Sequence, residues 1–423
     1  MNGILAAVIV VGGMSSGKVF GAEKQLDPGP VLRGTINVVV ANDRGIVVLT
    51  DSMLSTKVSD GHRGWKFRQL PDPAQKLFQI DDHTVCAFAG FASVKTPAVP
   101  DFLNNVTAIM ARYEGYLGRS GSATIAEKLE LLDAVFGHYL NGVANMRDIA
   151  GSENDYYLEL LLAGYDPDGT PEVGSLILNM QPSATITGES IFLPATIERE
   201  VIPVVGNGFV VIHGKRELAM QILQRPAPWG SDSAIAAYAR AKAHSQLLTI
   251  EQMKALAISL KKYTSKKDPS VGGPNQIALL MRRHVETVEQ PTFSPISALG
   301  FKFELVEGLV FDNSNSPGTA PVGEAVHVGH TLFGLYFKNS FKKTKQHIGG
   351  AYFGGNTFAN CELIYSGGSL QFSNSNRVYD SDLTLIGVNT DTPEVKHLLN
   401  DFSWRHIQHL TEAPPQTYPQ PPF

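Results

Sequence analysis

The sequence predicts an α+β fold in which two antiparallel β-sheets lie between helical layers, with a C-terminal β-solenoid-like extension. Three observations carry this reading. Strand–turn–strand segments stand on both sides of a long helical stretch. A second group of helices leads into a last strand at Gln276–Arg282. Beyond residue 325 the chain repeats itself at an offset of 20 residues, the period of a β-solenoid coil. Strands, helices, strands, helices, strand is the order that suits paired sheets between helices.

The first hairpin runs from Thr35-Ile36-Asn37-Val38-Val39-Val40 through the turn Ala41-Asn42-Asp43-Arg44-Gly45 to Ile46-Val47-Val48-Leu49-Thr50-Asp51. Residues 55–75 are polar, with Gly, Pro and charge, and read as an exposed loop. Lys76–Ile80 and Thr84–Gly90 flank Asp81-Asp82-His83 as a second hairpin. Helical spacing follows over about 100–116 (Phe102, Val106, Ile109, Met110) and about 124–145 (Ile125, Leu129, Leu132, Val135, Phe136). A third hairpin, Tyr157–Tyr165 and Gly174–Asn179, turns at Asp166-Pro167-Asp168-Gly169, and a further strand reaches Val204-Val205-Gly206-Asn207-Gly208. Helices are expected at 215–223, 231–247 and 250–264, then the loop Asp268-Pro269-Ser270-Val271-Gly272-Gly273.

The main domain is therefore expected at 35–284 and a Pro/Ser/Asn-rich linker at 285–324. In the β-rich segment 325–412, Phe358–Gly367 lines up with Val378–Gly387. Two such coils do not stand alone, so this segment is expected to pack on the main domain or on a neighbouring subunit. The tail 413–423 holds five prolines and is expected to be disordered.

Composition limits the function classes. Of 423 residues, 43% are apolar and 18% charged, as in globular chains of two or three domains. A net charge of -5 gives no basic footprint for nucleic acid. Cys86 and Cys361 are the only cysteines; two buried thiols are favoured over a bridge, and no metal-binding cysteine pair exists. No apolar run reaches the ~18 residues of a membrane-spanning helix, so stable membrane insertion is not expected.

The N-terminus admits two readings. Ile4–Val11 is apolar and leads to the small-residue ending Val19-Phe20-Gly21-Ala22, as in a secretory signal over 1–22, but no basic residue precedes the apolar run. With that signal the protein is secreted or periplasmic, and without it cytoplasmic. Gly12-Gly13-Met14-Ser15-Ser16-Gly17-Lys18 also fits a phosphate-loop spacing, yet Val19 replaces the Ser or Thr that would hold magnesium. Residues 23–34 are Pro/Gly-rich and read as a linker or pro-segment.

The chemistry centres on Gly34-Thr35. A threonine freed at its N-terminus carries both a hydroxyl nucleophile and an α-amine, whose pKa of about 8 lets it act as a base at neutral pH. Each accompanying residue has a plain structural reading: Thr35 as a strand former, Asp51 as a strand-end cap, Lys76 as a solvated lysine, and Asp268-Pro269 as a turn. Their joint order carries the functional reading. With Gly45–Ser52, Gln75–Ile80, Ala89-Gly90, Val205–Gly208 and Gly272-Gly273, residues 35–283 resemble a 20S proteasome β-type subunit of the N-terminal-nucleophile hydrolases.

That resemblance implies a four-layer αββα sandwich and a threonine-type peptidase, activated by autoprocessing at Gly34-Thr35 and assembled as a homo-oligomeric ring. It implies a peptide or protein substrate and no metal or organic cofactor. Thr35 would be the nucleophile, Lys76 and Asp51 its charged support, Gly90 the oxyanion donor, and Asp268 and Asn207 the partners of the α-amine. Gly34 would permit the turn needed for processing. Leu54, Ser55, Phe88 and Phe91 would line the substrate pocket. The chain departs from the family at Val271 and Asn207, where Ser is usual, at Phe91, where a small residue is usual, and at Met53, where Arg is usual. An amidase or acylase acting on non-peptide amides is one alternative, and a non-catalytic structural subunit another. Six histidines after residue 325 (His327, His330, His347, His397, His406, His409) lack zinc-site spacing and read as ordinary histidines.

Overall fold

A computed structural model of the chain describes residues 32–33, 35–53, 55–59, 65–69, 73–90, 106, 110, 123–145, 158–186, 189–206, 208–291, 303–307, 322–328, 331–337, 340–368 and 370–411. In chain order the first strands are Leu32–Arg33 (β1), Ile36–Asn42 (β2), Gly45–Asp51 (β3), Ser55–Ser59 (β4), Trp65–Gln69 (β5), Leu77–Asp81 (β6) and Thr84–Gly90 (β7). Helix Ile125–Asn145 (α1) precedes Leu158–Tyr165 (β8), Pro171–Ile186 (β9), Glu189–Pro203 (β10) and Phe209–Gly214 (β11). Helices Glu217–Gln224 (α2), Ser233–Ala243 (α3) and Ile250–Lys267 (α4) lead to Asn275–Met281 (β12) and His284–Glu289 (β13).

These strands form two five-stranded antiparallel sheets, ordered β10-β9-β8-β7-β6 and β11-β2-β3-β12-β13. Every residue of β2 and β3 is buried, because their Val- and Ile-rich runs have cover on both faces. Alternation decides which cover. Val39, Ala41, Ile46 and Val48 share one core with Leu77, Val85, Ala87, Leu161 and Ala163 of the other sheet. Ile36, Val38, Val40, Val47 and Leu49 face the opposite way, into a core with Ile222, Ile235, Leu256 and Leu260 of the three helices. Helix α4 starts at a capping box, in which Thr249 Oγ1 accepts from Gln252 N–H and Gln252 Oε1 from Thr249 N–H. Helix α1 packs against β9 and β10. It comes close enough that a Cβ on Gly174 would lie 2.6 Å from Leu129 Cδ1.

The predicted hairpins appear with the expected turn chemistry. Arg44 N–H donates to Asn42 Oδ1 at 2.8 Å, and Thr170 N–H to Asp168 Oδ1 at 2.7 Å. The stretch 55–75, read as an exposed loop, instead contains the antiparallel pair β4–β5, with β1 along its edge. Its charge and lack of a clean period hid the strands. Of the helix expected at 100–116, Val106 and Met110 are described and both are buried. The signal-like segment, the Pro-rich tail and all of the pro-segment but Leu32–Arg33 (β1) lie outside the described residues.

Beyond β13 the described elements are Phe303–Glu307 (β14), Val322–Val328 (β15), Thr331–Phe337 (β16), Ser340–Lys342 (β17), Lys345–His347 (β18), Ala351–Gly354 (β19), Thr357–Ala359 (β20), Glu362–Tyr365 (β21), Leu370–Phe372 (β22), Arg377–Tyr379 (β23), Asp382–Ile386 (β24), helix Pro393–Asp401 (α5) and His406–Leu410 (β25). From β16 onward the pairing is parallel. The 20-residue offset is the register of Thr357↔Arg377 and Glu362↔Asp382, whereas the preceding step, Lys345↔Glu362, is 17 residues. Stacked Phe341 and Phe358 and tilted Phe353 fill the interior. Asn356 donates to Tyr336 O at 2.9 Å and to Asn376 Oδ1 at 3.1 Å, so the interior amides are tied from one level to the next. Ser373 Oγ donates to Glu130 Oε2 at 2.5 Å and joins this segment to α1. Both cysteines are free and buried.

Candidate active site

Three strands bring the central residues together. Thr35 immediately precedes β2, Asp51 ends β3, and Lys76 immediately precedes β6 of the facing sheet. Antiparallel pairing of β2 and β3 returns Asp51 to the level of the Thr35 end, and packing of the two sheets inserts Lys76 beside them. All three are buried. Lys76 Nζ donates to Thr35 Oγ1 at 2.6 Å and lies 3.2 Å from Asp51 Oδ1; it also donates to the carbonyl of Met53.

Asp51 is held by more than its lysine. Oδ1 accepts Ile36 N–H at 3.2 Å; Oδ2 accepts Gly272 N–H at 2.9 Å and Met53 N–H at 3.2 Å. Burial pulls the Asp51 pKa up, against the Lys76 charge and these N–H groups. Burial likewise lowers the Lys76 ammonium below its usual range, with the Asp51 charge opposing. The Gly272-Gly273 pair is explained by this approach. Gly273 sits at φ +70, and a Cβ there would lie 2.7 Å from Ser52 Oγ.

Gln276, on β12, was not foreseen. Its Oε1 accepts Lys76 N–H at 3.0 Å and Leu77 N–H at 3.1 Å, while Nε2 donates to Ala74 O at 2.9 Å and Asp51 O at 3.3 Å. One buried amide thus fixes the backbone of both charged residues. The only signal in the sequence is a polar residue opening an otherwise apolar strand.

The other expected residues fall into three groups. Gly90 ends β7 at φ +91, next to Ala89. A Cβ on Gly214 would lie 2.2 Å from Thr35 O and 3.1 Å from Ala89 Cβ, so the end of β7 lies close to the Thr35 carbonyl. Asp268 is linked to Thr35 through Lys215, whose N–H donates to Thr35 O at 2.9 Å and whose Nζ lies 3.3 Å from Asp268 Oδ2. Ser55 is buried at the start of β4, opposite Arg33 of β1. Phe88 is buried and its ring stacks on Phe78 at 6.4 Å, on the other face of β7 from Val85 and Ala87. Gly34, Leu54, Phe91 and Asn207 lie outside the described residues.

The hydroxyl that Val271 lacks is present one residue earlier. Val271 belongs to the helix-side core, whereas Ser270 Oγ donates to Asp268 Oδ1 at 2.5 Å and Ser270 N–H to the same oxygen at 2.8 Å. Burial works against ionisation of Asp268, but these bonds and Lys215 outweigh it and hold the carboxyl below its ordinary 3.8. A depressed folded pKa gives a stability contribution that is complete above the unfolded value and is lost as pH falls through the folded one. Asp268→Asn is therefore expected to lower the urea midpoint at pH 6, with the gap from the native chain closing as pH falls below about 4. A gap that stays constant across that range would count against this account.

The fold and the site define a mixed α/β protein with a buried threonine–lysine–aspartate trio at the start of a strand. No family model matches the chain, and no curated protein does. Similar solved structures include Anbu from Hyphomicrobium sp. strain MC1, at 14% identity, covering 62% of this chain and 88% of that one, with a TM-score of 0.34. Anbu (ancestral beta-subunit) from Yersinia bercovieri is 15% identical, covering 58% of this chain and 82% of that one, also with a TM-score of 0.34. Assignment of residues 35–283 to the 20S proteasome β-type subunits is thereby corrected. No family model and no curated protein supports it. The residues behind that assignment were glycines at turns and charges at strand ends. Tight hairpins around a buried ion pair call for these residues whatever the ancestry.

No helix among the described residues is long and apolar enough to cross a membrane.

Proposed function

We propose that the protein is an amide-bond hydrolase, acting on peptide bonds, whose nucleophile is the hydroxyl of Thr35 once the chain is cut before that residue. The observation that carries this is the 2.6 Å contact of Lys76 Nζ with Thr35 Oγ1, made in a fully buried pair with Asp51. An ammonium has three donors, and here it meets three acceptors: Thr35 Oγ1, Asp51 Oδ1 and Met53 O. In this contact the hydroxyl oxygen accepts from Lys76. Charge developing on that oxygen is stabilised by a cation that needs no reorganisation.

The freed α-amine of Thr35 serves as base in this reading. As Oγ1 bonds to the substrate carbonyl carbon, the hydroxyl proton passes to the amine. Collapse breaks the C–N bond and returns that proton to the leaving amine, with an ester left on Thr35. Water, deprotonated by the same amine, attacks the ester; the C–O bond breaks and Oγ1 regains its proton. The Gly90 N–H is assigned to the oxyanion, and Asp268 with Lys215 to the support of the Thr35 backbone. The sheets and their flanking helices are read as a four-layer αββα sandwich over 35–284. The parallel strands beyond residue 325 are read as a solenoid-like extension. The two cores on either face of β2 and β3, and the 20-residue register, support those readings.

Intact-mass measurement and N-terminal sequencing of the purified full chain test the proposal, together with turnover of a fluorogenic peptide amide. A chain beginning at Thr35 that releases the fluorophore is expected. A chain that keeps the residues before Thr35 under all conditions and hydrolyses no amide would defeat the reading.

A further inference from the structure

A second cluster of buried polar groups lies between the sheets, next to Thr35. His213 of β11 pairs with Asn37 of β2, two residues beyond Thr35. Ser175 Oγ lies 3.0 Å from His213 Nε2 and 3.1 Å from Glu198 Oε1, and His213 Nδ1 lies 3.1 Å from Glu159 Oε2. Ser, His and Glu in this order resemble a nucleophile, its base and an orienting acid. Ser175, His213 and Glu159 are buried within strands, and Ser175 Oγ gives its one proton to Glu198; unlike Thr35, none of them would be uncovered by the proposed cut before residue 35.

The chain of groups does reach the turn after β11. Glu159 Oε2 accepts Gly214 N–H at 2.9 Å. The next N–H along, from Lys215, donates to Thr35 O at 2.9 Å. Gly214 sits at φ +77 with its Cα pressed against the Thr35 carbonyl, where no other residue fits without displacement. Buried carboxylates are costly unless they are paired and hydrogen-bonded, so this one stands between the sheets for a reason other than bulk stability. We propose that Glu159 is a positioning residue for the Thr35 site, fixing through Gly214 the peptide whose N–H clamps the Thr35 carbonyl, with His213 and Ser175 holding Glu159 in place.

The hydrogens of this cluster can be counted. Ser175 has one proton; given to Glu198, it leaves His213 Nε2–H to donate to Oγ. Nδ1 faces Glu159 off the hydrogen-bond line, so that contact is one of charge and is strongest for the imidazolium. Burial lowers the His213 pKa, Glu159 and Glu198 oppose it, and Arg216 adds to it. The groups that bear on His213 are thus Glu159 of β8, Ser175 of β9, Glu198 of β10, Asn37 of β2 and Arg216 after β11.

The proposal rests on Thr35 as nucleophile, but its test reads the clamp separately. Amide hydrogen exchange of the full chain is followed by mass spectrometry over 212–218, alongside kcat and KM on a fluorogenic peptide amide. Glu159→Leu is expected to speed exchange at Gly214 and Lys215 about tenfold and to lower kcat about tenfold, with KM within about twofold. Glu159→Gln, which keeps an acceptor oxygen, should restore both to within about threefold of the native chain. Unchanged exchange and unchanged kcat in Glu159→Leu would overturn the proposal. If that variant does not fold, Ser175→Ala decides. A shift in the pH profile of kcat and faster exchange over 212–218 support the clamp, and no change in either defeats it. A native chain without any activity would remove the Thr35 reading alone, because the exchange arm would still decide whether Glu159 holds the turn.

Discussion

On the proposed function, Thr35→Ala is expected to abolish amide hydrolysis and to leave the chain uncut before residue 35. The expected loss is about 10³-fold or more in kcat/KM, the scale on which removing a nucleophile from a preorganised site is felt. Folding should survive, because the substitution removes one hydroxyl and one methyl and leaves the two cores on either side of β2 intact. Intact mass, a thermal melt and turnover of the peptide amide check the three parts separately. Thr35→Ser keeps the hydroxyl beside Lys76 and should retain processing and activity within about tenfold. An alanine variant with native turnover would exclude Thr35 as nucleophile and favour a protein that keeps the fold for assembly alone.

Lys76→Met has the largest expected effect on stability. Lys76 and Asp51 are both completely buried, and the pair is surrounded by protein. Removing the cation leaves the Asp51 carboxylate without a counter-charge, for which buried pairs cost about 3–5 kcal/mol. Activity should fall at least as far as in Thr35→Ala, since the hydroxyl loses the donor at 2.6 Å. Asp51→Asn in the same background should recover part of the lost stability and none of the activity, because it removes the stranded charge without restoring the ammonium. Urea denaturation of the single and double variants measures that coupling. A Lys76→Met chain as stable as the native one would mean that the pair contributes nothing to the fold.

The order and pairing of the elements were largely legible, because β2, β3, β7 and β8 are apolar runs bounded by turn residues. Thr35, Asp51 and Lys76 were legible for a related reason: each is polar at the end of such a run. Gln276 and Glu159 were not. Their partners lie 200 and 55 positions away in sequence, and only the folded sheets bring them together. Ser270 and Val271 are adjacent, and which of the two side chains turns toward Asp268 depends on the backbone of the loop, which sequence does not display. The β4–β5 pair was missed because Lys57, Lys66 and Arg68 dilute any alternation.

The contact between Lys76 and Thr35 exists in the chain that still carries its leading residues. If the chain is cut before Thr35 as proposed, that step would need no reshaping of the trio. It would be a single chemical event exposing one amine beside contacts already made. One covalent bond would then separate the latent chain from the active one, and the step would run once, with no return path.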